Sequence, residues 1–250
     1  MTPQLIKFIK KDDLKFYRQG SFRVGTNIIY GQTEAARSEA ASIRFTDKEE
    51  GLGKDIYLDT HLNNQTIGGV EFQDVLIDGG VELVTSSNNL VFCASIGPYD
   101  KSHHEKMLHG CELPDGSYYP GDTDLTHYIV MDGSKLIKAL YHALKKHPTW
   151  TTDSPPRQSI FAKRVEYIGR VRTHKNVPTG HNSNTQESAE DRFWRINFCK
   201  PKQFRPEHEY RIVFRPKSPH PVPDEQDYVD VKSFGLKRVI NWNLSGSYRG

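Results

Sequence analysis

Glu207-His208-Glu209-Tyr210-Arg211-Ile212-Val213-Phe214 sets two carboxylates at the head of an aromatic and β-branched run. Such a run reads as a strand, and alternate strand residues share a face. A strand that begins at Glu207 puts Glu207 and Glu209 side by side and sends Tyr210, Ile212 and Phe214 into a core. Two like charges at that spacing repel, so one holds its proton longer than the other. The pair suits a site that stabilises a developing positive charge, such as a sugar oxocarbenium ion. The competing reading is an edge strand that opens on charged residues.

Upstream, Phe16-Tyr17-Arg18 and Ser21-Phe22-Arg23-Val24 read as two short strands around Gly20, or as one strand bulged there. Thr33 caps an expected helix through residue 40, and residues 46–53 read as a turn. Short apolar runs at 67–72, 75–77, 81–85 and 90–95, punctuated by Gly and Asn pairs and by Asp78-Gly79-Gly80, predict strands. Residues 97–126 are loop-rich. After a strand at 127–131, Asp132 or Ser134 caps a helix whose apolar face is Leu136, Ile137, Leu140, Tyr141 and Leu144. Residues 160–172 predict one or two strands, 176–186 a polar loop, and 188–198 a second helix with Phe193, Trp194 and Ile196 facing inward. Strands at 210–214, 228–231 and 236–240 complete the pattern.

Strands outnumber helices, no repeat is visible, and no strand–helix alternation carries a Gly-rich phosphate loop. The expected class is α+β: a mixed, mostly antiparallel split or sandwiched sheet with a few helices. At 250 residues, one domain spanning 1–250 is expected. An aromatic content of 11% and a mean hydropathy of -0.68 fit a globular chain with much solvated loop. No apolar run reaches the roughly 20 residues that cross a bilayer, so no membrane partner is expected. Met1 to Lys11 has no signal-peptide pattern. Cys93, Cys111 and Cys199 form neither a disulfide framework nor a paired zinc motif, and the cytoplasm is the expected compartment. In His103-His104-Glu105-Lys106-Met107-Leu108-His109, the five-residue step from His104 to His109 misses the helical spacing of a zinc pair. An exposed polar helix or loop is expected there, with no metal.

The net charge is only +3, yet residues 157–217 hold 14 Lys/Arg against 6 Asp/Glu. Arg164, Arg170 and Arg172 lie there beside Phe161, Tyr167 and Ile168. A basic zone with aromatics binds phosphates and stacks bases, and it is equally an ordinary solvated sheet face.

Three anchors resemble the Arg-Ser-Glu class of NAD-dependent mono-ADP-ribosyltransferases. Tyr17-Arg18-Gln19-Gly20-Ser21 resembles that family's first-strand signature, Phe92-Cys93-Ala94-Ser95 its Ser-containing strand, and Glu207-His208-Glu209 its Glu-x-Glu turn. The chain is also similar to a group of bacterial and phage proteins with a late Glu-x-Glu-x-Arg-Ile-Val and a middle segment that here reads Arg44-Phe45-Thr46-Asp47-Lys48-Glu49-Glu50-Gly51. The resemblance implies NAD as substrate. Arg18 would hold its phosphates, with Arg23 and Arg44 as alternatives. Ser95 would position the nicotinamide ribose or support the glutamate. Glu209 would bind the ribose hydroxyls and stabilise the departing charge, and Glu207 would activate the acceptor. Tyr17, Phe22 or Phe92 would stack on nicotinamide. It further implies a toxin or anti-phage effector, with RNA or DNA as acceptor ahead of protein and an antitoxin or regulator protein as a further partner. The rival readings are a non-enzymatic nucleic-acid- or protein-binding domain, in which Glu207 and Glu209 only pair with cations, and a nuclease that uses carboxylates and His.

Overall fold

The computed structural model describes residues 3–27, 52–62, 65–67, 70–86, 89–146, 159–169, 171–175, 188–215 and 228–249. The helix expected after Thr33, residue Arg44, residue Arg170 and the loop at 176–186 lie outside them.

An eight-stranded sheet organises the chain. Its centre is β7 (Leu90–Ile96), flanked by β15 (Glu209–Phe214) on one edge. The other edge of β7 is shared. β1 (Gln4–Ile9) pairs with its C-terminal end through Leu5↔Ile96 and Ile6↔Ser95. β2 (Ser21–Thr26) pairs with its N-terminal end through Gly25↔Val91 and Thr26↔Leu90. The sheet therefore forks along β7. At the fork Lys7 Nζ donates to the Cys93 carbonyl at 2.8 Å, which supplies a partner to a ladder acceptor. Beyond β1 lies β10 (His127–Asp132), beyond β15 lies β11 (Ile160–Arg164), and β16 (Tyr228–Lys232) pairs with β2, all antiparallel. The coarse expectation of a mixed α+β fold with mostly antiparallel sheets holds.

Alternation sorts β7 and β15 into two faces. Leu90, Phe92 and Ala94, with Ile212 and Phe214, join the main core together with Leu5, Tyr17, Phe22 and Leu136. The helix α3 (Gly133–Leu144) covers that face. Asp132 caps it by accepting from the Lys135 amide at 3.0 Å, and Leu136, Leu140, Tyr141 and Leu144 are its buried stripe, as the spacing predicts. On the opposite face, Val91 and Val213 pack on Phe198 of α4 (Ala189–Phe198), and Ile6, Phe8 and Val130 form a separate cluster. Between those two clusters the sheet carries polar side chains.

Several expectations fail for physical reasons. Phe16-Tyr17-Arg18 is not a strand but the end of helix α1 (Leu14–Arg18), and the first strand is β1, whose alternation Lys7 hides. Asp78-Gly79 does not end a strand. Residues Val75–Ser86 form one long strand, β6, against β3 (Leu52–Leu62), and the register shifts opposite Leu58/Thr60 where Gly79 takes φ +86°. Gly53 lies in β3, not in a turn. The apolar residues at 236–240 do not form a strand. Phe234–Lys237 is a short helix, α5, capped by Ser233, and Ile240 makes a single bridge to Met131.

Candidate functional site

Glu207 is not in the strand. It ends a 3-10 segment, Lys202–Glu207, and the left-handed His208 (φ 46°, ψ 41°) turns the chain into β15 at Glu209. His is among the few side chains with some tolerance for that conformation. The end of β7 fastens this turn. Ser95 Oγ donates to the Glu207 carbonyl at 2.7 Å, and the Ile96 amide donates to the His208 carbonyl at 3.0 Å. Ser95 is also the register partner of Glu209. The Glu209 amide donates to the Tyr167 hydroxyl at 2.7 Å, and the Glu209 carbonyl accepts from the Val165 amide at 2.9 Å. The turn is thus held on both sides.

Both carboxylates converge on Lys200. Its ammonium lies 2.8 Å from Glu207 and 3.2 Å from Glu209, with only 3% of its side chain exposed. Glu209, 5% exposed, also accepts from Arg211 Nε at 2.6 Å and from Nη2 at 3.4 Å, and the Cys93 thiol bonds to it. Arg211, 1% exposed, spends Nη1 on the Asn197 carbonyl at 2.8 Å. Glu207, with 15% of its side chain exposed, has Tyr119 Oη at 3.3 Å besides Lys200.

These surroundings push the two acids apart. Burial lifts Glu207 above the usual carboxylate range; Lys200 pulls it down, and Glu209 nearby lifts it further. Burial also works against ionised Glu209, but Arg211 and Lys200 outweigh it and hold that carboxyl well below the usual range. Of the two, Glu207 takes up a proton first as pH falls and Glu209 stays ionised longer. Pairs of acids separated in this way serve acid–base chemistry. Burial followed by the Glu209 charge pushes the Cys93 thiol up, so it is a neutral donor and not a nucleophile.

Beside the turn lies a cavity of about 460 Å³ lined by Pro206 and His208 but not by the Glu207 side chain. The Glu207 carboxylate turns to Lys200 and Tyr119, and the cavity is walled by α2 (Lys101–His109). His103 and His104 of α2 are buried, which corrects the expectation of an exposed polar segment. His104 Nε2 is 2.6 Å from the Leu125 carbonyl. His103 sits against His208, with ring centroids 4.7 Å apart. Burial depresses its proton affinity to a value of about 4, assisted by His208. His208 is depressed by burial and then by the charge of Arg164. Among the described residues no group of three or more His, Cys, Asp or Glu is placed to hold a metal ion.

The remaining sequence-derived residues lie elsewhere. Tyr17, Phe22 and Phe92 pack on one another in the main core, on the face opposite Ser95 and Glu209, so a stacking role on nicotinamide does not fit their burial. Arg18 is exposed on α1 and lines a different cavity with Leu14, His127, Tyr128 and Trp242. Arg23 pairs with Asp230 at 3.1 Å and lies over the Tyr228 ring. Arg164 and Arg172 are exposed, on strands of two different sheets. Lys200, Arg211 and Lys7 complete the polar strip and the fork, and sequence reasoning missed all three. The only available signal was the Glu-x-Glu-x-Arg spacing, which puts Arg211 on the face of Glu209.

Compared with known proteins, the chain matches no family model, no curated protein and no solved structure.

Proposed function

We propose that the protein is an NAD-dependent ADP-ribosyltransferase that reacts at Ser95, Glu207 and Glu209. One observation carries this reading: Ser95 and Glu209 are partners on neighbouring strands, and Ser95 bonds to the Glu207 backbone across 112 residues of sequence. Two of the three anchors of the resemblance meet in space, with Ser95 supporting the glutamates. The forked, mostly antiparallel sheet is compatible with the split or sandwiched sheet expected from the sequence. In this reading the Glu209 anion stabilises the ribosyl cation as nicotinamide leaves, and Glu207 exchanges the acceptor's proton. Arg18 lines a different cavity, and the cations beside the carboxylates are Lys200 and Arg211. The acceptor is a nucleic acid ahead of a protein, on the strength of exposed Arg164 and Arg172, and the setting is a toxin or anti-phage effector.

The test is nicotinamide release from NAD by the purified chain. Glu207→Gln and Glu209→Gln are each expected to lower it by about 10²-fold or more, with circular dichroism unchanged. Wild-type rates in both variants would remove the glutamates from the chemistry.

A second reading has its own observation. The Glu209 oxygens are occupied by Arg211 and Lys200, with 5% of the residue exposed. On that ground the cluster is architectural and the chain is a non-enzymatic binding domain. It predicts no NAD consumption in the presence of RNA, DNA or protein, and unfolding when Arg211 is truncated.

A further inference from the structure

A turn at 241–245 holds a tryptophan out beside β10. The Asn241 amide donates to the Val130 carbonyl at 2.8 Å, and the Val130 amide donates to Ser245 Oγ at 3.0 Å. Ser245 Oγ donates in turn to the Asn241 carbonyl at 2.8 Å, which closes the turn on the strand. An indole is among the more buried side chains on average. Trp242 is instead 37% exposed, and its Nε1 donates to no other residue among those described.

Trp242 is a wall common to two cavities. One, of about 460 Å³, has Arg18, His127 and Tyr128 in its lining and no carboxylate. Burial, and then the charges of Lys11 and Arg18, lower the proton affinity of His127, so the charges that act there are cations. The other cavity, of about 610 Å³, has Arg238, Lys135 and Asp132 in its lining. Asp132 is spent on the cap of α3: it accepts from the Lys135 amide at 3.0 Å, and its second oxygen stands 3.7 Å from Lys135 Nζ. Arg18 and Arg238 are exposed, and neither forms an ion pair among the described residues. The Arg238 guanidinium lies 4.2 Å from the Phe234 ring centre, which steadies it without using its donors.

The pattern is an exposed ring between two cavities, with one unpaired arginine in each. A ring takes a base face to face, and a guanidinium takes a phosphate in its fork. Each cavity alone has the volume of a small-molecule site, so the two in a row suit an extended chain of more than one nucleotide. We infer that this groove binds single-stranded nucleic acid, with a base stacked on Trp242 and the phosphates on either side of it held by Arg18 and Arg238. A single strand offers unstacked bases, which a duplex does not. A bilayer surface would match the charge but does not enter two concavities. The groove lies along β10, whereas Arg164 is on β11 at the other end of the sheet order. The site therefore rests neither on Arg164 and Arg172 nor on the transfer of ADP-ribose.

The experiment is fluorescence anisotropy of labelled oligo(dT) and oligo(U), about ten nucleotides long, titrated with the full chain over a series of salt concentrations and without NAD. Saturable binding that weakens as salt rises is expected. Trp242→Ala is expected to lose about fivefold or more in affinity, and Trp242→Phe, which keeps a stacking ring, to retain most of it. Arg18→Ala and Arg238→Ala are each expected to flatten the slope of log affinity against log salt by about 0.7 unit, the share of one phosphate contact on a single strand. In the wild-type protein the Trp242 indole N–H resonance is expected to move on titration with the unlabelled strand. No saturable binding, an unmoved Trp242 resonance, or undiminished affinity in Trp242→Ala would each overturn the inference. So would a duplex of equal length bound as tightly as the strand, or binding to phosphatidylserine vesicles with none to the oligonucleotides. Loss of nicotinamide release with strand binding intact would sink the transferase reading alone, and the reverse would sink this site alone.

Discussion

Glu207 and Glu209 share one ammonium: Lys200 Nζ stands 2.8 Å from the first carboxylate and 3.2 Å from the second. Buried like charges coexist only when an opposite charge is placed between them or one takes a proton. Lys200 is also 4.5 Å from the Phe204 ring centre, and its stem is fixed in β14 (Cys199–Lys200), so the ammonium has little freedom to leave. The same lysine ties the 3-10 segment to the strand and sets the charge of the pair.

Lys200→Met tests this directly. It keeps the apolar stem and leaves two acids with only Arg211. The expected cost near neutral pH is about 3–5 kcal/mol in urea unfolding, the usual penalty for breaking a buried pair from one side. Without the cation both carboxyls rise, and a raised acid favours the folded state more as pH falls. The deficit should therefore shrink from pH 7 to pH 5. A small deficit that does not vary with pH would mean that Arg211 alone compensates the pair.

His103 gives the fold an acid sensitivity. Burial and His208 depress it from 6.5 to about 4. The unfolded chain then binds the proton more tightly, so the contribution of this residue is fully present above pH 6.5 and is lost as pH falls toward 4. At its full extent the loss is about 3 kcal/mol, taken as an upper bound. His103→Phe should flatten the stability curve in that window, measured by denaturant midpoint at pH 7, 6, 5 and 4.5. Equal slopes for variant and wild type would place the imidazole in water.

Long, strongly periodic elements were legible in the sequence. The stripe Leu136, Leu140 and Leu144 and its Asp132 cap follow from the helical period alone, and Tyr210, Ile212 and Phe214 follow from strand alternation. Elements set by distant partners were not. Gln4–Ile9 reads as a basic terminus because Lys7 interrupts it, yet pairing with β10 along all six residues makes it a strand. Tyr17-Arg18 follows a strand motif by composition but occupies a helix, because Tyr17 must reach the core beside Phe22. In the site, Glu207, Glu209 and Ser95 were legible as residue types. Lys200 was not, since nothing local shows that a lysine beside a proline will be buried between two acids.

Gly20 is a second test of how the chain is fastened. It links α1 to β2 at φ +74°, and an added Cβ would stand 2.4 Å from the Ser233 carbonyl oxygen, which is backbone and cannot rotate away. Gly20→Ala is expected to lose more than about 2 kcal/mol, since left-handed strain adds to the clash. Gly116, at φ +80° with open space around it, is the control. Gly116→Ala should cost only the strain, about 1–2 kcal/mol. Equal losses at both positions in thermal unfolding would mean that the α1–β2 turn yields and that Ser233 moves aside.

Arg164 and Arg172 address the acceptor. Arg164 is exposed on β11 at the edge of the main sheet, and its charge reaches His208. Arg172 is exposed on β13 (Val171–Lys175), which pairs with β3 in a separate sheet. A nucleic acid that touches both must cross from one sheet to the other, whereas one that touches only Arg164 stays beside the Glu-x-Glu turn. Each phosphate contact adds about one unit to the slope of log affinity against log salt. Arg164→Ala and Arg172→Ala, measured singly with single-stranded RNA and duplex DNA, should each flatten that slope by about one unit if the strand crosses. A change confined to Arg164→Ala would place the strand at the turn alone. Wild-type affinity that does not vary with salt would exclude a nucleic-acid acceptor held by these arginines and would favour a protein.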